Sequence, residues 1–163
     1  MQGNPHIIAI LNKLLAGELT AVDQYLAHGE MYADMGLNVL GEKSLHESEH
    51  ERQHARALIQ RILFLEGTPD LSTREPLNVG STVVDMLQAD LAVEYSVAKH
   101  LKAAIAECEL AQDYVSRDIL QVQLEDTESD HAYFLEKQLR LIELVGLQNY
   151  LQSQIGSEPA DAT

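Results

Sequence analysis

The sequence predicts an all-α protein: a four-helix bundle with a long crossover between helices two and three and a short fifth helix. Three observations carry this. Apolar residues recur at three- and four-residue spacing over stretches far longer than a strand. The nine glycines and four prolines among 163 residues fall mostly between those stretches. No β-branched alternation is long enough for a sheet. Strict heptads do not persist, which argues against an extended coiled coil.

Asn4-Pro5 reads as N-cap followed by proline at the first helical position, where its missing N–H costs nothing. Ile7, Ile8, Leu11, Leu14, Leu15, Leu19, Val22 and Leu26 then mark helix one, to about Met35, with Gly36 as its stop. Helix two is expected from about Glu42 to Glu66, with Leu45, Ala55, Leu58, Ile59, Ile62 and Leu65 on its apolar face. Residues 67–80 form a polar crossover, long enough to link opposite ends of a bundle. Thr82 and Asp85 stand at capping-box spacing and start helix three, to about Ala111. Asp113 caps helix four, which runs to about Val145 and ends at Gly146. The short last helix is Leu147–Gln154, and residues 156–163 read as a small, acidic, mobile tail.

Composition narrows the function. Apolar residues make up 45% and charged residues 23%, ordinary for a globular chain. The formal charge of −15 argues against nucleic acid and anionic membranes as partners and suits attracting cations. The one cysteine, Cys108, excludes a disulfide framework and a four-cysteine iron module, and reads as a free thiol. With no signal-like N-terminus and no apolar run of membrane-spanning length, the expected location is the cytoplasm.

Four carboxylates and two histidines carry the chemistry. Glu51 and His54 lie three apart in helix two, and Glu128 and His131 lie three apart in helix four. That spacing puts both side chains on one helical face. Glu18 interrupts the apolar run of helix one, and Glu94 that of helix three. The order Glu, then Glu-x-x-His, occurs twice at nearly equal offset, as two equivalent helix hairpins would give. Alone, each piece would be a solvated face or a surface pair. Together they are the general pattern of di-metal carboxylate bundles. Buried carboxylates need compensation, and two divalent ions such as iron or manganese supply it.

Longer stretches outside the metal motif resemble the bacterioferritin family, from about residue 2 to residue 155. They include Leu11-Asn12-Lys13-Leu14-Leu15 with Glu18, Asp23-Gln24-Tyr25, Arg61-Ile62-Leu63-Phe64-Leu65-Glu66-Gly67, Tyr114-Val115-Ser116-Arg117-Asp118 and Gly146-Leu147-Gln148-Asn149-Tyr150-Leu151-Gln152. The resemblance implies a ferritin-like di-iron domain over residues 1–155. It further implies a hollow 24-subunit shell that oxidises Fe(II) and stores ferric mineral. By the same resemblance Glu18 and His54 hold one iron, Glu94 and His131 the other, and Glu51 and Glu128 bridge them. Tyr25 would stand beside the centre as an electron donor. His46 and His50, in one stripe with His54, would bind iron on the inner surface, His50 standing where the family often has Asp. A ferredoxin-type reductant for iron release is a further implied partner.

Two departures stand out. The family's haem is ligated by a methionine from each of two subunits, and the matching position is Arg52, which offers no thioether. The chain therefore resembles the haem-poor subunit type, which co-assembles with a haem-binding subunit. The segment before Glu128 also looks one residue longer than in some relatives, a length that a π-bulge in helix four would absorb. The reading favoured is a ferroxidase built into a storage shell. A structural subunit completing a mixed cage is the alternative. A rubrerythrin-like or mini-ferritin protein fits the C-terminal stretch and the complete ligand set less well.

Overall fold

The structure is a computed structural model that describes residues 2–157. The tail expected at residues 156–163 lies outside the described residues from residue 158 onward. Helix α1, Pro5–Asp34, starts where Asn4 accepts a hydrogen bond from the His6 N–H. It turns at Gly36, whose φ of 78° suits a residue without Cβ. Helix α2, Asn38–Phe64, runs back along it. It begins four residues earlier than the sequence predicts and has no side-chain N-cap. Its first turn is held by contact with α1. A Cβ on Gly41 would stand only 3.2 Å from the Gly29 carbonyl, so both glycines serve close approach of the two helices.

After the crossover, the Thr82–Asp85 capping box opens α3, Val83–Leu110. Asp113 caps α4, Tyr114–Asp126. The expected single fourth helix is interrupted. Residues Thr127–Ala132 form a π-helical turn before α5, Tyr133–Val145, and α6, Leu147–Gln154. A π turn is the device by which a helix takes up one additional residue without breaking.

Two apolar clusters clamp the bundle. One includes Leu11, Leu15, Ala55, Leu58, Leu101 and Leu120, with Cys108 buried among them. The other includes Tyr32, Leu40, Met86, Leu87, Leu135 and Tyr150. Each fully buried leucine contributes about 1.5–3 kcal/mol. Glu18, Gln24 and His28 of α1, Glu47 and Glu51 of α2 and Asp90 and Glu94 of α3 fall between these clusters, so the apolar ends hold the polar middle in place.

The crossover lies along α1 as an extended segment. The backbone N–H groups of Glu75, Asn78 and Gly80 donate to Thr20 Oγ1 (2.7 Å), Gln24 Oε1 (3.1 Å) and His28 Nε2 (3.1 Å). Gln24 and the other nitrogen of His28 are held in turn by Asp90 of α3 at 2.8 Å. Among the described residues, no helix is long and apolar enough to cross a membrane.

Candidate metal centre

Glu18 on α1, Glu51 and His54 on α2, Glu94 on α3 and His131 in the π turn converge in the middle of the bundle, all buried. Glu51 is the shared group. Its Oε2 accepts from His54 Nδ1 at 2.9 Å, and its Oε1 lies 2.6 Å from His131 Nδ1. Glu18 Oε2 is 3.7 Å from His54 Nδ1, and Glu94 Oε2 is 3.6 Å from His131 Nδ1. The two imidazoles lie 5.9 Å apart, centre to centre, with their planes 25° from parallel. The result is two matched sets, Glu18–Glu51–His54 and Glu51–Glu94–His131, each with ligand atoms close enough for one cation.

The donor set fits metal. Both carboxylate oxygens of Glu18 and the Nδ1 of His131 are buried without a hydrogen-bond partner, although the latter stands so near Glu51. Buried polar atoms left in this state are costly, and one cation in each of the two sets would satisfy them. Burial and the nearby charge of Glu51 push the Glu18 carboxyl up to about 8 and that of Glu94 up to about 7. Burial also raises Glu51, but hydrogen bonds from His131 and His54 outweigh it and hold Glu51 well below the ordinary range. Burial lowers His54, yet Glu18 and Glu51 more than reverse this and bring it to about 10. Metal-free, the site is thus two outer glutamates that hold their protons well above the ordinary carboxylate range, around a charged, imidazolium-bound Glu51.

Glu128 requires a correction. It does not join the centre. Its side chain is 48% exposed and pairs with Lys102 of α3. The cause is the π turn. Residues three apart share a face in an α-helix, but the wider i→i+5 repeat turns Glu128 away from His131. Asp126, five residues before His131, comes to the site instead, with Oδ2 at 3.2 Å from His54 Nε2. Thr127 fills the buried position between, its hydroxyl donating to the Gln123 carbonyl.

Tyr25 is buried and donates its hydroxyl to Glu94 Oε1. The histidine stripe is as expected: His46 and His50 rings are 6.3 Å apart and His50 and His54 rings 5.0 Å apart. His46 is exposed, whereas His50 Nδ1 meets His131 Nε2 at 2.8 Å. Sequence reasoning missed Glu47, which is buried with Oε2 2.8 Å from His131 Nε2. Burial pushes Glu47 up, but His131 and Lys43 outweigh that and take it down to about 2. Glu47 lies four residues before Glu51, and that spacing was the available signal. Arg52 points outward and pairs with Glu49, so the residues here do not fit a haem ligated from this position.

A helical bundle with inward glutamates and histidines drawn from all four helices defines a carboxylate-type metal-binding bundle protein. The chain belongs to the ferritin family: the sequence profile described as ferritin-like domain matches residues 8–145. Within that family it is similar to bacterioferritins. It is 59% identical to the bacterial ferritin of Synechocystis sp. over 95% of this chain and 99% of that one. It is 56% identical to the bacterial ferritin of Pseudomonas aeruginosa over 95% of this chain and all of that one. Against the bacterioferritin of Mycobacterium leprae it is 38% identical over 98% of this chain and all of that one. Iron storage is the function that this membership supports.

Proposed function

We propose that the chain is a ferroxidase subunit of a 24-subunit cytoplasmic storage shell, binding two Fe(II) per subunit at the buried Glu/His cluster and passing Fe(III) to the cavity. The observation that carries this reading is Glu51 standing between His54 and His131, with Glu18 and Glu94 outside them. Glu18 and His54 hold one iron, Glu94 and His131 the other, and Glu51 bridges. Two Fe(II) held this way supply the electrons for reduction of dioxygen or peroxide. Glu18 and Glu94 release their protons as the cations enter, which keeps the buried centre near charge balance. Tyr25, bonded to Glu94, is the nearby electron donor, and His46 and His50 take iron on the inner side. A ferredoxin-type reductant serves release, and a haem-binding bacterioferritin subunit is the natural co-assembly partner for a chain carrying Arg52.

Stopped-flow oxidation at two Fe(II) per subunit tests the site. The double variant Glu51→Ala/His54→Ala should lose rapid oxidation while its native mass still reports a multi-subunit particle. Unchanged rates would remove the site; a dimeric native mass would remove the shell. One observation favours a second reading, a subunit that chiefly completes a mixed shell: the helix-four carboxylate Glu128 faces away from the centre. Slow oxidation by the wild-type shell alone would favour it.

A further inference from the structure

His54 has two ring nitrogens and two different neighbourhoods. Nδ1 faces inward, toward Glu51 at 2.9 Å and Glu18 at 3.7 Å. Nε2 faces Asp126 Oδ2 at 3.2 Å, on the side toward solvent, where the Asp126 side chain is 36% exposed. A neutral imidazole has one lone pair and one N–H. If Nδ1 is to give its lone pair to a cation, Nε2 must carry the proton, and an acceptor must stand there to fix that tautomer. Asp126 is that acceptor. His131 is built the same way: Nδ1 faces Glu51 and Glu94, and Nε2 faces Glu47 Oε2 and His50 Nδ1, both at 2.8 Å.

We propose that Asp126 is a positioning residue of the centre: it holds His54 with Nδ1 turned to the metal side, and it is the carboxylate that helix four contributes in place of Glu128. The π turn is the device that makes the exchange. It carries Glu128 out to Lys102, keeps His131 buried and leaves Asp126 beside His54. The centre then has one carboxylate bridge, Glu51. This inference rests on the two-metal reading, and it concerns which helix-four carboxylate matters.

Cobalt(II) titration of the purified assembly, followed by its visible d–d bands and by equilibrium dialysis, separates the two. Wild type should bind two Co(II) per chain in this site, and Glu18→Ala should bind fewer; failure of either removes the two-metal reading. Glu128→Gln should leave stoichiometry, affinity and bands unchanged. Asp126→Ala should weaken binding about 10- to 100-fold and shift the bands. Asp126→Asn, which keeps a carbonyl acceptor, should recover most of the affinity. A tenfold loss in Glu128→Gln, or none in Asp126→Ala, would overturn the proposal. Crystals of the metal-free Asp126→Ala protein give a reading independent of cobalt: the His54 ring should turn or become mixed, and a ring fixed as in wild type would also overturn it.

Discussion

Tyr25 and Glu94 are joined by a buried hydrogen bond that occupies one carboxylate oxygen and leaves the other, Oε2, facing His131. Burial and Glu51 raise the Glu94 carboxyl, and His131 and the tyrosine hydroxyl favour its ionised form, leaving it at about 7. Tyr25→Phe should therefore make Glu94 harder to deprotonate. Uptake of the second metal should move to higher pH by about one unit, the worth of a hydrogen bond to a charged group. Cobalt titrations at a series of pH values would measure the midpoint; an unmoved midpoint would count against the link.

The pH dependence of stability should reverse on metal loading. In the metal-free chain Glu18 and Glu94 keep protons to about 8 and 7, whereas the unfolded chain loses them near 4.5. The unfolded state then binds fewer protons, so stability falls as pH rises from about 4.5 through 8. Glu51 and Glu47, held low, act oppositely and withdraw their support as pH falls below about 4.5. Bound metal needs the ionised forms, so loaded protein should gain stability between pH 6 and 8. Melting temperatures across this range, with and without Zn(II), give both slopes.

Two glycines of α1 should respond in opposite directions. A Cβ at Gly29 would meet Leu45 Cγ at 2.7 Å and the Leu45 backbone nitrogen at 3.1 Å. Gly29→Ala should cost about 1–3 kcal/mol through overpacking. At Gly17 a Cβ meets nothing within 4 Å, so Gly17→Ala should gain up to about 1 kcal/mol from helix propensity. Urea midpoints of the two variants would check the contrast.

Arg61 is buried under the start of α4, where its Nε donates to Ser116 Oγ at 2.8 Å and its Nη2 to Asp113 Oδ1 at 2.7 Å. Arg61→Met should cost about 3 kcal/mol, because Asp113 loses its partner in a largely buried pair. The double variant Arg61→Met/Asp113→Asn should recover part of the loss. Equal melting temperatures for the single variant and wild type would contradict this account.

The helices and most of their caps are legible in the sequence because the apolar period, Asn4, Thr82 with Asp85, Asp113 and Gly146 all act locally. Five of the six Glu and His positions are legible for the same reason: each sits on regular α-helix or at a residue whose burial survives the π turn. Glu128 misleads because Glu-x-x-His spacing implies a shared face only while the helix keeps 3.6 residues per turn. Once an extra residue is admitted near His131, the partner five positions back, Asp126, is the one to examine. The start of α2 is hidden for another reason: Gly41 looks like a break, yet it is the contact surface for Gly29. Thr20, Gln24 and His28 carry no motif of their own, although their four-residue spacing describes the acceptor row that receives the crossover.

That acceptor row sets where the chain tolerates changes of length. Side chains one helical turn apart on α1 receive backbone donors from residues 75, 78 and 80, much as a sheet edge receives a strand. One residue added between 75 and 80 would pull at least one donor away from its acceptor and leave a buried oxygen or ring nitrogen empty. Residues 71–74, whose side chains are exposed, carry no such register with α1's buried face. Natural length variation, inserted tags and circular-permutation breakpoints should therefore be accepted in that short exposed arc and rejected a few residues later, although the whole crossover looks equally irregular.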